Sequence, residues 1–225
     1  FRAGYVSGTQ WDNANIGDYS VAMGYDNIAS GAYSVVGGGL LNLASHDATY
    51  GATTVGGGQS NTASAGFATV GGGQSNTASG RWSVVGGGVG NDASGFESTV
   101  GGGYYNTASG QYATVSGGQG NTASGLSAAV SGGFRNTAAG DYSWAGGRYM
   151  QLSSSADRTF VWGYSDSAFS IDTANAFLID PSSYGINVGI GTTTPAYTLD
   201  VAGNIRATKS LTAGINVETL SADKT

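Results

Sequence analysis

Residues 70–80 read Val70-Gly71-Gly72-Gly73-Gln74-Ser75-Asn76-Thr77-Ala78-Ser79-Gly80, and the fold follows from the recurrence of this string. Close copies begin 15 residues apart, at Val85, Val100, Val115 and Val130, and a weaker copy begins at Ala145. Upstream, one copy begins at Val55, and another begins at Val36 with four extra residues around His46-Asp47-Ala48-Thr49. A repeat of this length, sustained over many copies, is typical of a solenoid.

Side chains at fixed positions of the repeat indicate which residues face inward. Small residues alternate with the recurring Val, and this period of two is typical of a β-strand. No helical periodicity appears, and each Gly of the triplet would cost a helix about 1 kcal/mol. We therefore predict coils of two short strands, residues 68–72 and 76–79 in one copy, joined by Gly and Asn turns. The recurring Asn is expected to be buried and to form a hydrogen-bonded ladder; it occupies Asn27, Asn42, Asn61, Asn76, Asn91, Asn106, Asn121 and Asn136.

The composition excludes several classes of protein. Gly accounts for 41 of 225 residues, yet Gly does not recur at every third position as in collagen. The chain has no Cys, so disulfides and Cys-based metal sites are excluded. The net charge is −6 with only eight Lys and Arg, so we expect no nucleic-acid partner. No apolar run approaches the roughly 18 residues of a membrane span, so we expect no membrane insertion by this segment.

Catalytic chemistry has little support in the sequence. His46 is the single histidine, and it precedes Asp47 directly in the insertion of one coil. Adjacent side chains on an extended segment point in opposite directions, so the pair is a poor catalytic dyad. We predict that the protein is not an enzyme, with no catalytic residues, no metal site and no cofactor.

Aromatic residues recur in the turn that precedes each Val strand. The column contains Phe67, Trp82, Tyr112 and Tyr142, with Glu97 and Ser127 at the intervening positions. The interior of such a coil holds only small side chains, and an exposed aromatic row is unusual on a monomer. We infer that these four aromatic residues lie at an interface between subunits related by cyclic symmetry. A monomer that exposes the row is the alternative.

The two residues after each Gly triplet vary while the rest of the repeat stays fixed. Such variation is expected at a solvent-facing corner, and Tyr and Arg are common in binding surfaces. Neutral drift at a tolerant turn explains the same variation. A second alternative is a flat array of Thr and Ser hydroxyls, such as Thr62 with Ser64, typical of ice-binding solenoids. The candidate binding residues at the corners are Leu40, Leu41, Val89, Tyr104, Tyr105, Phe134 and Arg135.

The first copy, Tyr19-Ser20-Val21-Ala22-Met23-Gly24 followed by Ala29-Ser30-Gly31, resembles the head repeat of YadA-like trimeric autotransporter adhesins. The later 15-residue units are similar to the related haemagglutinin-type repeats, and the resemblance covers residues 17–147. It implies an all-β fold, a left-handed parallel β-roll (a β-solenoid of 14–15-residue coils), in a homotrimer whose usual role is adhesion. The neck motif and heptad stalk of that family are missing, which favours a tail-fibre-like or secreted fibre.

A second resemblance lies in residues 185–207, which contain Gly189-Ile190-Gly191-Thr192 and Leu199-Asp200-Val201. This stretch resembles the segment before the endosialidase-type intramolecular chaperone of phage tail fibres. We therefore expect a lead-in at residues 1–16, the β-roll at 17–147, a compact β module at 148–208, and a connector at 209–225 to a chaperone or tip beyond the sequence. The expected function is that of an extracellular trimeric fibre or adhesin, on a cell surface or virion, that attaches to a cell-surface glycan or protein receptor. A purely structural shaft or filament subunit without a receptor site is the alternative.

Overall fold

The repeat folds into coils whose strands stack in parallel on the strands of the next coil. In this computed structural model, residues 2–5, 8, 15–46, 51–179, 188–190 and 199–201 are described. The coils form an all-β solenoid of about ten turns, which confirms the predicted fold class. The chain divides into two compact units, Phe1–Gly185 and Ile186–Thr225, and the repeat lies in the first.

One strand of each coil carries the recurring Val, replaced by Ala22 in the first coil, and these strands form the valine row. Each pairs in register with its equivalent in the next coil, so that Val70 is opposite Val85 and Val85 is opposite Val100. Arg2–Tyr5 pairs in parallel with the first strand of the row. The strands of the valine row are Val21–Tyr25, Val35–Val36, Thr54–Val55, Thr69–Val70, Val84–Val85, Thr99–Val100, Thr114–Val115 and Ala129–Val130.

The second strand of each coil ends on the recurring Ala, and these strands form the alanine row. They follow the Asn directly and also pair in parallel, as in Ala78 opposite Ala93. Each strand is shorter than the sequence predicts: Thr77–Ala78 forms the strand within the predicted residues 76–79. The strands of the alanine row are Ile28–Ala29, Leu43–Ala44, Thr62–Ala63, Thr77–Ala78, Asp92–Ala93, Thr107–Ala108, Thr122–Ala123 and Thr137–Ala138.

The core is a set of straight columns that run from coil to coil. Val70, Val85 and their equivalents are 0% exposed, and so are Ala78 and Ala93 on the facing strand. These side chains are small, so each coil buries only a modest apolar area. Hydrogen bonds between the stacked strands therefore contribute much of what holds the coils together. The predicted inward columns of Val, Ala and Asn are confirmed.

The Asn column forms a continuous ladder, as predicted. The side-chain Oδ1 of Asn76 accepts a hydrogen bond from the backbone N–H of Asn91 at 3.0 Å. Its Nδ2 donates to the carbonyl of Gly72 at 2.9 Å and to that of Gly88 in the next coil at 2.8 Å. One amide thus bonds within its own turn and twice to the next coil, and a carboxylate could not do so because it has no donor.

The third Gly of each triplet has no room for a side chain. Gly73 has a φ of +87°, and a Cβ there would lie 2.1 Å from the carbonyl oxygen of Gly88. The corner therefore requires glycine both for its left-handed backbone and for the close approach of the next coil.

The parallel stacking continues beyond Gly147 in longer strands. Trp144–Leu152 pairs with Phe160–Ile171, which pairs with Phe177–Ile179. Larger side chains fill this part of the interior, among them Met150 and Leu152. The boundary predicted at residue 147 falls within the strand Trp144–Leu152, where the parallel stacking continues.

The second unit contains one described pair of parallel strands, Val188–Ile190 and Leu199–Val201. The predicted connector at residues 209–225 lies outside the described residues.

Candidate binding surface

The variable corner pairs form two adjacent columns along one edge of the solenoid. The first member of each pair makes a parallel bridge to its equivalent in the next coil, as Val89 does with Tyr104. The second member has a left-handed backbone, with φ near +52° at both Tyr105 and Arg135. Such a backbone is uncommon for bulky residues and turns the second side chain outward. Tyr105 is 58% exposed, which agrees with the predicted solvent-facing corner.

The structure brings the seven predicted binding residues to this one edge, but in two groups. Leu40 and Leu41 are separated from Val89 by two coils whose corners carry Gln59-Ser60 and Gln74-Ser75. Val89, Tyr104, Tyr105, Phe134 and Arg135 occupy neighbouring coils near the other end, interrupted only by Gln119-Gly120. The second group holds the aromatic rings and the charge.

Large side chains at the corners pack over glycines of the preceding coil. The Tyr105 ring covers Gly90 of the preceding coil, where a Cβ would lie 2.7 Å from the ring. Tyr104 meets Tyr105 edge to face, with ring centroids 4.4 Å apart. Arg135 covers Gly120 in the same way, with its Cγ 3.3 Å from a Cβ position. The corner thus alternates large side chains with glycine.

Five side chains from three successive coils form a cluster that we call the arginine corner: Phe134, Arg135, Arg148, Tyr149 and Tyr164. The Phe134 and Tyr149 rings meet edge to face with centroids 5.3 Å apart. The Arg135 guanidinium carbon lies 5.2 Å from the Phe134 ring centroid and 5.9 Å from that of Tyr149. Arg148 lies 5.0 Å from the Tyr164 ring centroid. Cation–π contacts of this kind hold guanidinium groups over aromatic faces.

The two arginines of this corner differ in their charge partners. Arg148 forms an ion pair with Asp166 at 3.1 Å and donates a hydrogen bond to the Tyr164 hydroxyl. That hydroxyl donates to Asp166 at 2.8 Å. Among the described residues, no carboxylate lies within ion-pair distance of Arg135. The net positive charge of the arginine corner is therefore centred on Arg135.

An open cleft of about 360 Å³ adjoins the arginine corner. The Gln151 Nε2 donates a hydrogen bond to the backbone carbonyl of Arg135, which fixes the Gln151 side chain on this wall. Thr137 and Gln151 are neighbours in adjacent strands, so their side chains share one face. The cleft is lined by Gly120, Arg135, Thr137, Tyr149, Gln151 and Ala168.

The repeat pattern of the sequence does not single out four residues of this site: Arg148, Tyr149, Gln151 and Tyr164. Arg148-Tyr149 is a corner pair like the others: Arg148 bridges to Phe134, and Tyr149 has a φ of +59°. The sequence marks this corner, because Gly146-Gly147 precedes the pair as the Gly triplet precedes the other pairs. It was hidden because the step from Phe134 to Arg148 is 14 residues instead of 15.

The aromatic turn column is a second exposed row on the solenoid. Phe67, Trp82, Tyr112 and Tyr142 all have left-handed backbones and are between 39% and 58% exposed. Phe67 stacks on Trp82 with centroids 5.8 Å apart, and Arg81 lies 4.1 Å from the Trp82 ring centroid. The predicted outward direction of these side chains agrees with this exposure, and the subunit interface stays a prediction.

The outward face of the alanine row carries the Thr and Ser hydroxyls. The serines, such as Ser79 and Ser109, are exposed and the threonines are half-buried, so the array faces solvent. Asp92 lies opposite Thr77 and Thr107 in this row. The pKa of the Asp92 carboxyl is raised, because burial outweighs the opposite effect of a hydrogen bond from the Ser94 hydroxyl.

His46 lies in an open cleft of about 350 Å³ with three serines, Ser30, Ser45 and Ser64. Asp47, its neighbour in sequence, lies outside the described residues. Within the described ranges, no three His, Cys, Asp or Glu side chains come close enough together to hold a metal ion.

No protein-family model matches this chain, and no curated protein matches its sequence at a significant level. None of the described residues forms a helix with the length and apolar character that a membrane crossing requires.

Proposed function

We propose that this chain is a segment of an extracellular homotrimeric fibre or adhesin that attaches to receptors on a host or cell surface. The observation that carries the proposal is the exposure of aromatic and arginine side chains in ordered rows on a stack of nearly identical coils. The coils fix the spacing of these side chains, so each chain presents the same surface in the same geometry.

The aromatic turn column supports assembly into a trimer. Rows of exposed apolar rings are costly in water and commonly mark protein–protein contacts. The outward-facing positions of the valine row also support assembly. After Ala129, the equivalent positions in the next three strands are Trp144, Phe160 and Phe177. There, Trp144 stacks on Phe160 at 4.3 Å and Phe160 stacks on Phe177 at 4.8 Å. Phe177 is 70% exposed, so the last ring of this stack presents apolar surface.

The corner columns support attachment. Tyr and Arg side chains dominate the binding energy of many interfaces, and here they lie together near one end of the solenoid. Three copies on one fibre would hold three weak sites at a fixed spacing. The second and third contacts then form at a high effective concentration, and avidity exceeds the affinity of one site by about 10²–10⁴.

Binding of the assembled chain to cultured cells and to a glycan array tests the proposal. We expect binding that is lost when Tyr104 and Phe134 are both replaced by Ser, and retained in Gln74→Ala, a change at an exposed corner outside the cluster. A structural shaft predicts a different result: the chain binds neither cells nor glycans, and the corner variants behave like the original chain.

A further inference from the structure

We propose that the cleft beside Arg135 binds a sugar unit that carries a carboxylate. This inference rests on the proposed attachment function and gives its ligand class. It starts from a charge imbalance: the chain has a net charge of −6, yet this corner presents an arginine without a carboxylate partner among the described residues.

The arginine supplies the recognition of the anion. The guanidinium of Arg135 stays near the Phe134 and Tyr149 rings, so it is held in place before any ligand arrives. A planar guanidinium offers paired N–H donors that match the two oxygens of a carboxylate. Arg148 already has a carboxylate partner, since Asp166 lies 3.1 Å from it. We therefore assign Arg148 to holding the rings in place and Arg135 to contacting the ligand.

The rest of the cleft suits the body of a sugar. Tyr149 in the lining offers an aromatic ring for the C–H face of a pyranose, while Thr137 and Gln151 bring a hydroxyl and an amide oxygen that can bond sugar hydroxyls. The Gln151 amide nitrogen is held by the Arg135 carbonyl, which leaves its oxygen as the acceptor. Gly120 has no side chain, so the Arg135 side chain can lie across it at the edge of the cleft. A volume of about 360 Å³ lies at the lower end of the usual range for small-ligand sites, about 300–1,000 Å³, and suits one or two sugar rings.

Saturation-transfer NMR on the full chain provides the test, with methyl β-glucuronide as the probe and methyl β-glucoside as its neutral counterpart. We expect the glucuronide to bind about ten-fold more tightly or better, because an ionised hydrogen-bond partner adds that much. The methyl ester of the glucuronide removes the carboxylate without changing the protein, and it is expected to bind as weakly as the glucoside.

Arg135→Gln is expected to abolish the preference for the glucuronide. Arg81→Gln is the matched control, because Arg81 also lies over an aromatic ring but on a different turn. Circular dichroism on each variant verifies that the solenoid is retained. Equal binding of glucuronide, ester and glucoside to the original chain would overturn the inference, as would unchanged glucuronide binding by Arg135→Gln or no saturation of the glucuronide at all.

Cell adhesion measured on the same samples separates this inference from the proposed function. Adhesion by a chain that shows no glucuronide preference leaves the attachment function standing and rejects the Arg135 site. Glucuronide binding that depends on Arg135, without adhesion to any cell or glycan surface, supports the site and rejects the attachment function.

Discussion

Replacement of Asn91 by Ala removes one rung of the buried asparagine ladder, and we expect it to be strongly destabilising. The Asn91 Oδ1 accepts the backbone N–H of Asn106 at 2.9 Å, and its Nδ2 donates to the carbonyls of Gly87 at 2.9 Å and Gly103 at 3.0 Å. The carbonyl of Gly103 keeps a second bond, from the backbone N–H of Val89 at 2.9 Å. The groups left without their partner are therefore the buried N–H of Asn106 and the carbonyl of Gly87.

The magnitude follows from these two groups. A buried donor without a partner costs about 1–3 kcal/mol, and the lost hydrogen bond to Gly87 adds about 1 kcal/mol, so the free energy of unfolding should fall by about 2–4 kcal/mol. The assay is guanidinium denaturation followed by far-ultraviolet circular dichroism, with all samples at one chain concentration because association affects apparent stability. The control is Gln74→Ala at an exposed corner, where we expect a change within about 0.5 kcal/mol.

In Asn91→Asp, we expect the loss of stability to depend on pH. The carboxylate would face the carbonyls of Gly87 and Gly103, so the folded-state pKa of this Asp would rise above its ordinary value of about 3.9. The variant should be closest to the original chain below pH 4 and should lose stability relative to it as the pH rises towards neutrality. A loss in Asn91→Ala no greater than that of Gln74→Ala, or a flat pH profile for Asn91→Asp, would refute the structural role of the ladder.

Three further predictions concern single side chains of the coils. Ser98 has a buried hydroxyl with no hydrogen-bond partner among the described residues, so Ser98→Ala should raise the free energy of unfolding by about 1 kcal/mol, and a decrease in denaturation midpoint would contradict this. Asp92→Thr completes the threonine row and should stabilise by about 0.5–2 kcal/mol at pH 7. Because burial raises the folded-state pKa of Asp92, that gain should shrink as the pH falls through this raised pKa and should reach its minimum below the pKa of the unfolded chain, which denaturation of both proteins from pH 3 to 7 checks. Gly90→Ala should displace the Tyr105 ring, seen as a changed tyrosine signal in near-ultraviolet circular dichroism, and an unchanged signal would contradict the packing.

The fold was predictable because the repeat places the same residue in the same environment many times. Val70 and Asn76 each belong to a column, and a column of identical small or polar residues reveals which side faces inward. The corners were predictable for the complementary reason, since Tyr104 and Arg135 vary where their neighbours do not. The later coils were harder to predict, because Met150 and Leu152 replace the small inward residues and the step shortens.

The cleft beside Arg135 depends on features that a sequence pattern does not report. Its walls come from successive coils, in which Thr137 lies beside Gln151 of the next coil, and its opening depends on the direction in which Arg135 leaves the corner. The partner of Arg148 lies 18 residues further along the chain, at Asp166. The order of charged residues along the sequence does not reveal that Arg148 is paired with Asp166. Nor does it reveal that Arg135 has no carboxylate nearby among the described residues.

The most direct test of the proposed fibre is the molar mass of the chain in solution, measured by sedimentation equilibrium. One chain has a mass of 22.4 kDa, so the trimer has three times that, about 67 kDa. We predict the trimer mass for the original chain and a lower mass when Trp82 and Tyr112 are both replaced by Ser. A mass of 22.4 kDa for the original chain at all concentrations would contradict the account.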